Sequence, residues 1–278
     1  MSAQDTEFSQ KTERIFKPEK GALLMGILNI TPDSFFDGGN YLSEKEWLVQ
    51  AEKMILEGAD IIDVGASSTR PGTKGIPVEL ELQRAIPVIK SLRKNSPEIL
   101  LSIDTYRSEV AKQAVEAGAD IINDISGGSM DDKMFKVVSE LNVPYILMHI
   151  QGVPKNMQVA PFYENVVSEV DSYFEKRIEQ LKELGFRKII LDPGFGFGKS
   201  LEHNYDLLKN LKSFGKFGLP VLAGVSRKSM ICKLLNLNPK DSLNGTTVAN
   251  TMAILNGAKI LRVHDVKEAK EAIRMCEF

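Results

Sequence analysis

The chain has 278 residues, 43% of them hydrophobic, which is enough for one large core and fits a single α/β domain better than several small ones. Its 35 basic and 37 acidic residues leave a net charge of -2, so there is no global field to draw nucleic acid or an anionic membrane, and a small-molecule substrate fits better. Two cysteines, Cys232 and Cys276, stand far from any CxxC or Cys/His ligand spacing and are too few for a disulfide framework, which points to a reducing cytoplasm.

The opening segment is polar and has no apolar h-region, so residues 1–20 read as a polar N-terminal extension. No later run approaches the ~20 apolar residues that cross a bilayer, and a soluble protein without a membrane partner is expected. From residue 21 to 278 the chain alternates apolar runs with amphipathic stretches. The runs are LLMGILN, DIIDVG, ILLSID, DIINDI, YILMHI, KIILDP, PVLAGVS and KILRVH. Stretches such as EKEWLVQAEKMILEGA, SEVAKQAVEAGA and VVSEVDSYFEKRIEQLKELGF place apolar residues three and four apart, the spacing of a helix covering a sheet. A weak repeat marks the units: Gly58, Gly118 and Gly257 each end a helix in Gly-Ala before the next strand, where a left-handed C-cap is needed. About eight such units predict a closed (β/α)8 barrel of the TIM class as one domain over 21–278.

Near the end of almost every apolar run stands a polar side chain: Asn29, Asp63, Asp104, Asn123, His149, Asp192, Ser226 with Lys228, and Arg262 with His264. In a parallel barrel those ends form one rim, where chemistry gathers. Arg262 and His264, two apart, share a face and put cationic groups together; with Arg227 and Lys228 they predict an anion-binding corner on strands seven and eight. Asp104, Asn123, Asp124 and Asp192 on strands three to six suit the N–H groups of a flat, nitrogen-rich ring, with Phe35, Met148 and Phe197 as apolar walls. Two Gly/Pro/Ser-rich segments, 31–43 and 67–79, lack periodicity and are candidate closing loops.

For Asp63 and Asp124 the ordinary role of capping a turn is the expectation. His149 reads as a hydrogen-bonded wall residue, and His203 as an exposed residue at a helix start. In DPGFGFGKS the spacing from Gly194 to Gly198 is one short of a P-loop and does not match the dinucleotide glycine pattern. These glycines instead let a loop approach a flat ligand while Phe195 or Phe197 stacks beside it.

The segments MGILNITPDSFFDGG, DVGASSTRPG, SIDTYR, INDISGG, LMHIQGVPKNMQ, ILDPGFGFGKSLEHN, LAGVSRKSMI and KILRVHDV together resemble the dihydropteroate synthase family from about residue 23 to the C-terminus. The resemblance implies a usually dimeric (β/α)8 barrel. Its activity would join p-aminobenzoate to 6-hydroxymethyl-7,8-dihydropterin diphosphate with Mg2+, releasing diphosphate. It places the pterin pocket on Asp104, Asn123, Asp192 and Lys228 with Met148 and Phe197, and the diphosphate site on Asn29, Thr69, Arg70, Arg262 and His264. It places p-aminobenzoate against Phe35, Pro71 and Ser229, and Mg2+ on Asn29 with Asp33. Asp104, Lys228, Arg262 and His264 carry the catalytic roles. One departure is visible: where the family often has Glu in its second loop, this chain has Ala66-Ser67-Ser68 before Thr69. The competing readings are a pterin-dependent methyltransferase, a Schiff-base aldolase using Lys228, and a pterin-binding module without activity.

Overall fold

The computed structural model describes residues 11–17, 21–30, 44–67, 75–152, 157 and 161–278. A helical segment at 11–16, α1, precedes eight parallel strands: β1 Leu23–Asn29, β2 Ile61–Gly65, β3 Leu100–Asp104, β4 Ile121–Asp124, β5 Tyr145–Met148, β6 Ile189–Asp192, β7 Leu222–Ala223 and β8 Ile260–Val263. The helices between them are α2 Glu44–Leu56, α3 Val78–Asn95, α4 Ser108–Glu116, α5 Met134–Leu141, α6 Val166–Glu183, α7 Leu201–Lys209 and α8 Ser229–Leu235. Leu243–Leu255, α9, is extra, and Val266–Glu277, α10, closes the chain. The strand order runs β6-β5-β4-β3-β2-β1-β8-β7. A parallel bridge between Leu191 and Val221, with Leu191 N donating to Pro220 O at 2.9 Å, joins the two ends, so the sheet is the closed barrel that the repeat predicts.

Side chains two apart on a strand share a face, and this periodicity sorts the barrel into layers. Met25, Ile61, Leu100, Ile121, Ile146, Ile190, Leu222 and Ile260, one from each strand, pack together inside its lower half. Their neighbours, such as Leu24, Ile62, Leu101, Ile122, Leu147, Leu191 and Leu261, face the helices. Moving two residues up each inward row replaces the apolar plug by Asp63, Ser102, Asn123, Met148, Asp192 and Arg262. The plug therefore sets the floor of a polar mouth at the C-terminal ends of the strands.

Ile15 of α1 is fully buried against that plug from below. Burying such a side chain contributes about 2 kcal/mol. Residues 11–17, part of the segment read from its polarity as an N-terminal extension, thus supply a cap for the barrel floor: Ile15 and Phe16 are isolated among polar residues and offer no periodic signal.

Gly58, Gly118 and Gly257 have φ of 102, 116 and 95°, as the repeat requires at the turn from helix into strand. The helix starts are set by local chemistry: Asn165 accepts from Ser168 N at 3.0 Å to begin α6, and Ser200 with His203 forms a reciprocal capping box at the start of α7. Among the described residues no helix is long and apolar enough to cross a membrane.

Candidate active site

Asp104 ends β3 and lies opposite Asn123 on β4 in the ladder, while Gly65 lies opposite Asp104 on the other side. Gly65 has no side chain, and a Cβ there would stand 3.1 Å from Asn29 Oδ1 and 3.9 Å from Asp104 Oδ2. That gap brings the Asn29 amide beside the Asp104 carboxylate at the barrel mouth.

Arg262 rises from β8 into the same space. Its Nε donates to Asp63 Oδ2 at 2.7 Å and its Nη2 to Asp104 Oδ2 at 2.7 Å; Asn123 Nδ2 donates to Asp63 Oδ2 at 3.1 Å. The opposite oxygens, Asp63 Oδ1 and Asp104 Oδ1, are buried and have no hydrogen-bond partner among the described residues. An unsatisfied buried carboxylate oxygen is costly, and at Asp104, which reaches the strand-end mouth, it marks a place built for a donor that arrives with a ligand, while Asp63, 0% exposed, lies a layer below.

Electrostatics follow this crowding. Burial raises the Asp104 pKa to about 7, with Asp63 adding to the rise and Arg262 opposing it. Burial also raises Asp192, against the pull of Gly194 N, which donates to its Oδ1 at 2.8 Å, and of Lys228. Lys228 is lowered to about 8 by burial and Arg262. Burial alone would lower Arg262, but Asp63 and Asp104 hold its pKa above the ordinary value. The mouth thus has two carboxyl groups easily neutralised, one amine easily deprotonated and one permanent cation.

The wall on the β4 to β6 side is apolar: Ile125, Met148, Ile150 and Met157 form a cluster of their own, with Tyr106 and Phe197 packed against it. Lys228 Nζ sits 4.2 Å from the centroid of the Phe197 ring. Phe195, the alternative stacking residue, is 1% exposed and belongs to the core outside the barrel. At the rim, Ser226 Oγ lies 3.1 Å from His264 Nδ1 and accepts from His264 N at 3.2 Å. His264 is exposed at the rim, and the desolvation it meets there, with the positive charge of Arg262, lowers its pKa to about 4. Ser229 is exposed at the first residue of α8.

Residues 25–264 match a family described as "Pterin binding enzyme". The Escherichia coli (strain K12) dihydropteroate synthase is 48% identical over 256 residues, 91% of this chain and 90% of that one. A crystal structure of the Yersinia pestis dihydropteroate synthase with a sulfonamide drug complex superposes with a TM-score of 0.87 at 42% identity, covering 92% of this chain and 94% of that one. The Xanthomonas albilineans dihydropteroate synthase in complex with 7,8-dihydropteroate gives 0.83 at 38% identity, covering 93% of each. The chain belongs to the pterin binding enzyme family, among the dihydropteroate synthases. Membership makes it a transferase of folate biosynthesis.

Against this family frame, the residues expected for the pterin pocket, Asp104, Asn123, Met148, Asp192, Phe197 and Lys228, line one mouth together with Arg262. Asp33, Phe35, Thr69, Arg70 and Pro71 lie outside the described residues. Asp63 corrects the sequence reading: it caps no turn but faces inward, fully buried, under Asn123 and Arg262. Its run, DIIDV, is apolar on both faces because both faces are covered, so no alternation separates inward from outward. Asp124 does fill the turn role, accepting from Ser126 N, Ser126 Oγ, Gly128 N and Tyr145 Oη.

Arg227 is a second correction. Its φ of 54° turns the side chain away from the anion corner into a two-pronged pair with Asp265, at 2.9 and 2.7 Å, and onto Pro239 O and Lys240 O. Arg262 itself belongs as much to the ring floor as to the corner, since two of its nitrogens are engaged by carboxylates. His203 is half-buried in its capping box, edge-on to Tyr163 at 4.9 Å, rather than exposed.

Lys199 was not singled out by sequence reasoning, yet it orders the glycine loop. Buried to 3% exposure, its Nζ meets Gly194 O, Phe197 O and His149 Nδ1, each at 3.0 Å. Burial lowers its pKa to about 7. Gly194, Gly196 and Gly198 all have positive φ, and a Cβ on Gly194 or Gly198 would fall inside the backbone oxygen of His149 or Gln151. The loop is thus pressed onto the end of β5 and pinned by Lys199, with Phe197 held towards Lys228. His149 is the wall residue expected, edge-on to Tyr173 at 4.9 Å.

Proposed function

We propose that this mouth condenses p-aminobenzoate with 6-hydroxymethyl-7,8-dihydropterin diphosphate, giving 7,8-dihydropteroate and diphosphate. The carrying observation is the junction at Arg262: the Asp104 carboxylate with an unpaired oxygen on one side and the rim imidazole of His264 on the other. The N–H edge of the pterin suits Asp104 and Asp192, its ring suits the Met148 and Phe197 wall, and its tail suits Arg262 and His264. Arg262 Nη1 is not used in the pairs with Asp63 and Asp104, which leaves a donor for the diphosphate.

Loss of diphosphate develops negative charge on the tail and positive charge on the pterin methylene in a dissociative substitution. Arg262 and His264 stabilise the first, and Asp104, in a site of low dielectric, stabilises the second. A weak aromatic amine then suffices as nucleophile. Asn29 offers one hard oxygen towards the mouth, and no group of three His, Cys, Asp or Glu able to hold a metal occurs among the described residues. The Asn29 oxygen is a hard donor of the kind Mg2+ takes, and the ion would be held there by Asn29, Asp33 and the substrate's own phosphate oxygens. Bound there, the ion would offset charge on the departing diphosphate. Phe35, Pro71, Ser229, Thr69 and Arg70 would complete the p-aminobenzoate and diphosphate sites.

We further propose a cytoplasmic homodimer; both cysteines are free, and Leu234, Leu235, Val248 and Leu255 expose an apolar face on α8 and α9. The function is tested by diphosphate release from the pterin diphosphate with Mg2+, with and without p-aminobenzoate. Release that requires the amine and Mg2+ supports the reading; methyl transfer, or release indifferent to the amine, overturns it.

A further inference from the structure

We propose that Asp63 is a positioning residue that fixes which way round the Asn123 amide faces the ring, and so sets the donor and acceptor order of the pterin pocket. The inference rests on the pterin-binding reading of this mouth. Asp63 is 0% exposed, so its carboxylate does not reach the ligand directly. Its register on β2 places it one inward layer below Gly65, opposite Ser102 on β3 and Ile27 on β1.

Oδ2 accepts from both Asn123 Nδ2 and Arg262 Nε. An oxygen that accepts from the Arg262 guanidinium accepts from Asn123 as well, so the amide must put its nitrogen down and its oxygen elsewhere. The reversed amide would set Asn123 Oδ1 against the Asp63 carboxylate, two acceptors in a buried site, which costs more than a lost hydrogen bond. Asn123 is 3% exposed, at the bottom of the mouth beside Asp104. A ring whose edge carries a fixed sequence of N–H and lone pairs is discriminated by such an amide more sharply than by apolar contact.

The test is a pair of substitutions at position 63 read by calorimetric titration with 6-hydroxymethylpterin, which has no phosphoryl tail. Asp63→Leu, close in volume, removes the acceptor shared by Asn123 Nδ2 and Arg262 Nε and frees the Asn123 amide to turn, so at least a tenfold weaker pterin affinity is expected. Asp63→Asn keeps an oxygen in the Oδ2 position that can still accept from both donors and puts its amide nitrogen where Oδ1 has no partner, so the Asn123 amide keeps its direction and affinity is expected to stay within a few-fold. Should Asp63→Leu not fold, Asp63→Ala carries the same comparison. Unchanged affinity on removal of the acceptor, or an equal loss in Asp63→Asn, overturns the proposal. Failure of the unsubstituted protein to bind the pterin would instead sink the reading on which the proposal rests.

Discussion

Replacing Asp104 by Asn should stabilise the fold at pH 8 while reducing its activity. The folded carboxyl has a pKa near 7 against an ordinary 3.8, so the folded chain keeps a proton that the unfolded chain has lost over that interval. A raised acid of this kind leaves stability intact below about pH 4 and withdraws it as the pH climbs through about 7. Roughly 3 pK units at 1.36 kcal/mol each amounts to about 4 kcal/mol withdrawn by pH 8, with the Arg262 attraction already included. Asn never ionises, and its oxygen can still accept from Arg262 Nη2. The variant should therefore gain up to about 4 kcal/mol at pH 8 and almost nothing at pH 4, equivalent to on the order of 10 °C in midpoint at the higher pH. Urea denaturation of both proteins at the two pH values measures the difference. A variant less stable at pH 8 would mean that the ion pair outweighs the cost of burial, and that the site is not strained for function. Turnover should fall in the same variant, since the uncharged amide no longer matches a cationic ring.

Lys199→Met removes the donor shared by Gly194 O, Phe197 O and His149 Nδ1, and should weaken pterin affinity about tenfold with diphosphate affinity unaltered, by calorimetry. Equal loss of both would assign Lys199 a general structural role. Gly194→Ala combines a φ of 71° with a Cβ driven into His149 O, so a loss of at least about 2–3 kcal/mol is expected in chemical denaturation. Light scattering on a size-exclusion column should report a dimer that Val248→Glu with Leu255→Glu converts to monomer; a protein monomeric at the outset refutes the assembly.

Much of the barrel was legible because its βα units repeat with glycine punctuation at 58, 118 and 257, and because strand-end residues must share a rim. That topology alone brings Asp104, Asn123, Asp192, Lys228 and Arg262 to one mouth. Direction within the mouth was less legible. Asp63 sits between apolar neighbours and Arg227 between Ser226 and Lys228, so neither segment marks a face, and only the register of β2 and the left-handed backbone at 227 decide where they point. Lys199 was obscured for another reason: its charge sits among glycines that resemble a phosphate loop, whereas its partners are the carbonyls of that same loop at Gly194 and Phe197 and the imidazole of His149, distant in sequence. Ile15 shows the converse, an apolar residue in a polar stretch whose burial depends on a barrel floor it does not adjoin in the chain.

The most direct measurement is a crystal structure with dihydropterin diphosphate and Mg2+ bound. The account predicts the ring's N–H edge within hydrogen-bond distance of Asp104 and Asp192, its face against Phe197, and its phosphates directed to Arg262 and His264. A ring seated elsewhere, or a tail turned away from His264, would contradict it.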